Sequence, residues 1–326
     1  MSVQRLHVAV LVACAALCGV VLLRERPASS PGDRAPFGPL DAIPSGVELL
    51  ATVDVEALRR TENGAAIARE GRIVPGLGSL REICGYDPTA GIRELATTVA
   101  LPEGGGLDQA DVGLAASGDL PLGPVVDCAE RVIHRRGGAP VRTQIGSFTV
   151  VRDRQRAAVE VAVRPDLVLV GSGALLREMI DTADGQVAPV RSDQVHAVLR
   201  RSLGPGLLVA TLTLPRGWLS AAIEPELARR SPLAAVTTAA LRVEAAPGVE
   251  ATLVLGCAAA EVCGPVHELL QRSAGDLQDL LQHELGVTLE SAEVRAAERA
   301  AVISLRLSPE QAARALSRLL ERGQLP

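Results

Sequence analysis

Sulfur is the first chemistry to weigh in this chain. Cys84, Cys128, Cys257 and Cys263 lie in its body, while Cys14 and Cys18 fall inside an N-terminal apolar run. None of the four body cysteines forms a Cys-x-x-Cys and the histidines are scattered, so the pattern is not that of a zinc site. Four cysteines in an exported body suggest two disulfides. Of the three possible pairings, Cys84 with Cys128 and Cys257 with Cys263 is preferred, because each pair then stays within one half of the chain. Buried free thiols are the alternative, cysteine being among the most often buried residues. A nucleophilic Cys84 would need a lowered pKa and a histidine, for which His134 is the conceivable partner. The stretch Glu82-Ile-Cys-Gly-Tyr-Asp-Pro88 is explained without chemistry as a helix end entering an Asp-Pro turn, held by a disulfide from Cys84.

Other constellations fall short on spacing. His267-Glu268 and His283-Glu284 each couple an imidazole to a carboxylate, but sixteen positions at about 100° each leave the histidines about 160° apart on a continuous helix, and Gly275 is expected to break that helix. There is no Gly-x-Ser-x-Gly; Gly171-Ser-Gly173 and Gly76-Leu-Gly-Ser79 read as turns and caps. Gly104-Gly-Gly106 lacks the strand-to-helix frame of a phosphate loop. Asp108 to Asp111 lacks the ligand spacing and closing glutamate of a calcium loop. No catalytic, cofactor-binding or metal-ligating residue is assigned, and no cofactor is expected.

Composition removes further classes. Every one of the 33 basic residues is arginine, which excludes lysine Schiff bases, Ser-Lys dyads and the phosphate-loop lysine. Setting aside Arg5, Arg24, Arg26 and Glu25 takes the net charge from -5 to -7. With four aromatics, Phe37, Tyr86, Phe148 and Trp218, the body has neither the basic stripe nor the stacking platform of a nucleic-acid binder. A chain of 326 residues, 48% hydrophobic, can nevertheless bury a substantial core.

The elements that must position these side chains begin with a membrane signal over residues 1 to 26. Leu6 to Leu23 is apolar apart from His7, and its eighteen residues would make roughly 27 Å of helix, close to the ~30 Å hydrocarbon thickness of a bilayer. The small residues of a cleavage site come only after Arg24-Glu-Arg26, which favours an uncleaved anchor. Leu11-Val-Ala-Cys14 resembles a lipoprotein box, so acylation at Cys14 is the alternative. A few residues ahead of an apolar run are the layout of an export signal, which places the body in the periplasm on an inner-membrane anchor. Residues 27 to 44, rich in Pro and Gly, read as a tether.

Beyond the tether the pattern is α+β: two similar lobes of mainly antiparallel sheet backed by helices, residues 45 to 185 and 186 to 326. Strands at Val47 to Val53, Glu94 to Leu101 and Val112 to Ser117 are echoed at Leu207 to Leu214, Thr237 to Ala245 and Val249 to Leu255. Helices entered through Gly123-Pro and Gly264-Pro follow in both halves. Next come Ile145 to Arg152 with Val159 to Val163, matched by Val287 to Arg295 with Ala301 to Leu307. Leu167 to Val170 is an extra strand of the first half. Helices from Ser172 and Ser308 close the halves, the latter through Ser308-Pro-Glu-Gln311, a capping-box pattern. Further helices are expected from Pro215 through Ile223 and from Asp193 to Ser202, the latter joining the halves.

The tether, the strand-helix start, Cys84-Gly-Tyr-Asp-Pro88 and Asp127-Cys-Ala129 together resemble envelope-anchored proteins of GC-rich delta-proteobacteria such as myxobacteria. The resemblance implies export and carries no activity. The function expected is a non-enzymatic, membrane-anchored envelope protein with a binding or scaffolding role. A carrier of apolar ligands in a sheet-helix cavity, and a thiol enzyme or hydrolase, are the alternatives.

Overall fold

A computed structural model describes residues 38–61, 77–101, 109–155, 160–214, 231–245 and 248–322. These build twelve strands and seven helices. The strands are β1 (Leu49–Asp54), β2 (Ile92–Ala100), β3 (Asp111–Gly118), β4 (Pro140–Ile145), β5 (Phe148–Asp153), β6 (Glu160–Arg164), β7 (Leu167–Gly171), β8 (Leu208–Thr213), β9 (Val236–Ala245), β10 (Val249–Cys257), β11 (Ser291–Ala297) and β12 (Ala300–Leu307). The helices are α1 (Val55–Arg60), α2 (Leu77–Cys84), α3 (Leu122–Arg135), α4 (Gly173–Ala183), α5 (Gln194–Leu203), α6 (Cys263–Leu285) and α7 (Pro309–Arg322). Two compact units divide between Val198 and Leu199, inside α5, with a short segment from Ala57 grouped with the second; β1 to β7 fall in the first and β8 to β12 in the second.

The expectation of an α+β fold is corrected, while the expected N-terminal membrane-crossing helix falls outside the described residues. The framework is antiparallel β throughout, mainly β in class, with helices laid against it. Among the described residues no helix is long and apolar enough to cross a membrane. Leu6 to Leu23, with Cys14 and Cys18, lies outside the described residues, as do Pro27 to Phe37, Gly104 to Gly106 and the helix expected from Pro215. The physical reason for the misreading is that helix stripes are local signals, whereas the ladders that organise this chain join strands far apart in sequence.

Those ladders follow one path in both units. The strand order is β1-β2-β3-β7-β6-β5-β4 in the first and β8-β9-β10-β12-β11 in the second. In each, three strands run as a meander, a helix follows the third, and the last strand returns to pair with that third one. Gly113 to Ser117 lies opposite Gly171 to Leu167, and Val249 to Gly256 opposite Leu307 to Ala300. On this path β7 corresponds to β12, so the insertion in the first unit is the hairpin β4–β5 and not the single strand at Leu167 to Val170.

Strict alternation gives the first unit a core on both faces of its strands. Val150, Ala162, Leu167 and Leu169 pack with Leu175, Leu176, Met179 and Ile180 of α4, joined by Phe148, Ala42 and Ile43. On the other face Val151 and Val163 meet Val126, with Ala129 and Ile133 of α3 packed against them. Gly113 lets α4 come this close: a Cβ there would lie 2.7 Å from the Met179 sulfur. Residues 38 to 44, read as tether, belong to this core. Pro39–Asp41 forms a single 3-10 turn, and Ala42 and Ile43 are fully buried.

In the second unit α6 continues through Gly275 instead of breaking, burying Val266, Leu270, Leu277, Leu281 and Leu285 along one stripe. Ser308 caps α7 by accepting from the Gln311 amide at 3.2 Å, but the Gln311 side chain accepts from the Thr288 amide instead of closing the box. Gly275 is exposed, and a Cβ added there would meet nothing within 4 Å. Gly275→Ala therefore raises stability by about 0.5–1 kcal/mol, measured as a higher denaturant midpoint of the full chain.

Candidate functional site

The four body cysteines stand in two pairs at disulfide distance. Cys84 and Cys128 have Cα atoms 4.8 Å apart, and Cys257 and Cys263 have theirs 5.7 Å apart. Each pair fastens the helix that follows its unit's third strand: Cys128 lies in α3, and Cys263 opens α6. Gly-Pro occupies the second and third positions of both helices, where a missing amide hydrogen costs no helical bond. In its disulfide Cys84 has no thiolate to offer, and all four sulfur-bearing residues are buried. His134 sits exposed in the last turn of α3.

Around the first pair the chain builds a polar corner. Helix α2 ends at Cys84, Gly85 turns the chain with φ +75°, and the Gly85 amide donates to the Arg81 carbonyl at 3.0 Å. Asp87 accepts from the amide and hydroxyl of Thr89 and pairs with Arg81 Nη2 at 2.6 Å. Burial alone would raise the Asp87 pKa, but these bonds outweigh it and hold the carboxyl below its usual range. From α3, Arg131 Nη1 donates to the Cys84 carbonyl at 2.7 Å. Asp127 accepts from Arg142 of β4 at 2.8 Å, and Glu130 pairs with the same guanidinium.

Tyr86 points into this corner, its hydroxyl buried without a hydrogen-bond partner among the described residues. Burial raises its pKa; Arg131 opposes the shift and Asp127 adds to it. The sequence marked the Cys84 to Pro88 cluster, but the proximity of Asp127 and Arg131 to it follows only from the packing of α2 on α3.

A second feature is a groove of about 500 Å³ in the first unit, lined by Asp41, Thr182, Gln186, Val187, Pro189 and Arg191. Arg191 Nε pairs with Asp41 Oδ1 at 2.9 Å, and Asp41 Oδ2 accepts from the Gly38 amide at 2.8 Å. Beside it residues 43 to 45 are clamped to 188 to 190: Val190 N donates to Ile43 O at 2.8 Å, and Ser45 N to Ala188 O at 3.0 Å. The charged and amide side chains on its walls are unlike the dry, enclosed space an apolar ligand needs.

Histidine placement differs from what a metal or base would require. His267 and His283 sit on the single helix α6, and among the described residues no group of three or more His, Cys, Asp or Glu could hold a metal ion. Sequence reasoning passed over His196. It is fully buried, with Nε2 2.8 Å from the Val47 carbonyl, and it ties α5 to the chain entering β1. Ser172 Oγ, expected as a helix cap, donates to Asp111 instead. Comparison with family models, with curated proteins and with solved structures finds no match for this chain.

Two outcomes follow from this geometry. Tyr86 is the chain's single tyrosine, so phenolate absorbance titrates it alone. Its midpoint lies above the model-peptide value of about 10, lower in Asp127→Asn and higher in Arg131→Gln. The protonated phenol therefore stabilises the fold below the unfolded pKa, and that stability is lost as pH rises through the folded value. The disulfides enclose separations of 44 and 6 residues. By loop entropy, replacing both cysteines with serine costs about 4 kcal/mol for the first and about 2 kcal/mol for the second, read as the difference in unfolding free energy.

Proposed function

We propose that this is a non-enzymatic envelope protein, held at a membrane by Leu6 to Leu23, whose body serves as a binding or scaffolding platform outside the cytoplasm. The observation that carries this reading is the pair of disulfide-distance cysteine sets, one per unit, each fixing the helix that follows the third strand. Buried pairs of this kind form and persist in oxidising compartments. The apolar run Leu6 to Leu23 supports this reading, and so does the resemblance to myxobacterial envelope proteins.

The platform role rests on rigidity. In the first unit, strands packed on both faces leave little freedom between α3, α4 and the ladders they cover. The polar corner around Tyr86 and the groove beside Asp41 and Arg191 are the surfaces such a body offers a partner.

Alkylation of intact cells followed by mass measurement tests the compartment. The four body cysteines resist modification until a reductant is added, and the full chain sediments with lipid while a chain lacking residues 1 to 37 does not. Body cysteines modified in unreduced cells, or sedimentation unchanged by the truncation, would sink the reading.

A further inference from the structure

Two edge strands of the framework are treated in opposite ways. β4 is guarded: it opens with Pro140, which has no amide hydrogen, and Arg142 is bound to Asp127 and Glu130 of α3. β11 carries no such device. Its seven residues, Ser291-Ala-Glu-Val-Arg-Ala-Ala297, contain no proline or glycine, and all but Val294 are exposed. Its inner edge is paired along its whole length with β12, from Ser291 opposite Arg306 to Ala297 opposite Ala300. Among the described residues no strand pairs its outer edge.

We propose that β11 pairs antiparallel with β11 of a second copy of this chain, about a two-fold axis at Val294. That register is self-complementary. Glu293 then stands opposite the partner copy's arginine at 295, and Arg295 opposite its glutamate at 293, so one axis creates two opposite-charge pairs. Ala292 meets Ala296 and Ser291 meets Ala297, small side chains that let two backbones approach. Among the described residues Arg295 forms no ion pair, so the new pairing competes with none there. Charges on an edge strand ordinarily repel a neighbouring edge; here their opposite signs at symmetric positions admit one partner, this same strand. A seven-residue edge buries less area than a standard stable interface, so the dimer is a weak one. The pairing does not depend on the membrane reading, since β11 belongs wholly to the second unit.

Sedimentation equilibrium of the full chain in detergent tests the proposal. The wild type dimerises reversibly. Glu293→Arg, which sets like charges opposite each other twice, weakens the dimer roughly tenfold or more, and Arg295→Glu does the same. The double variant E293R/R295E restores it, because the pairs re-form with their signs exchanged. A wild type that stays monomeric at roughly 0.2 mM overturns the proposal. A dimer indifferent to Glu293→Arg, as when copies associate through Leu6 to Leu23, overturns it too, as does a double variant no better than the single ones.

Discussion

The return of a late strand to the third one is the interaction on which the rest of this structure depends. Until β7 lies along β3, the hairpins β4–β5 and β6–β7 have nothing to attach to, and α4 has no surface beneath it. The same holds for β12 beside β10 and for β11 beyond it. Such a ladder is costly to begin, because closing 49 or more residues of chain in the first unit, and 43 or more in the second, must come before its first bonds reward the closure. Once made, it fixes both faces together, since alternation along β5, β6 and β7 sends successive side chains to α4 and to α3 in turn.

Sulfur acts on the segment that this closure has to organise. α3 and α6 occupy the stretch between the third strand and its returning partner, and each is covalently tied at Cys128 or Cys263 to chain preceding it. Restricting that helix in the unfolded ensemble removes conformations that would compete with the ladder. The polar corner at Tyr86 is a by-product of the same fastening. With Cys84 drawn against α3, the turn at Gly85 brings the chain's one phenol among Asp127, Arg131 and Asp87.

Much of the local structure was legible in the sequence. The Gly-Pro starts of α3 and α6, the serine cap of α7 and the alternation of β10 each have a short-range cause. The cysteine pairs were legible as well, because keeping partners within one half left one pairing. β4 was missed: Pro140, Arg142 and Gln144 dilute its apolar pattern, as suits an edge strand. Gly275 reads as a helix end, yet the apolar stripe from Val266 to Leu285 outweighs one exposed glycine. In α5, Val195 and Val198 invite an apolar face, but the helix instead buries His196 and Leu203, because the imidazole finds the Val47 carbonyl. Fold class was misjudged for the general reason: pairing partners 50 residues apart leave no mark on either segment alone.

Burial of Ala42 and Ile43 bears on how force would travel through this protein. Pulling on the chain ahead of Gly38 loads the Asp41–Arg191 pair first, then the short clamp of residues 43 to 45 on 188 to 190. The six-residue ladder of β1 with β2 comes only after it. A fuse of two backbone hydrogen bonds, one ion pair and a buried isoleucine thus stands between the N-terminal segment and the main framework, able to yield under strain while the β1–β2 ladder stays closed.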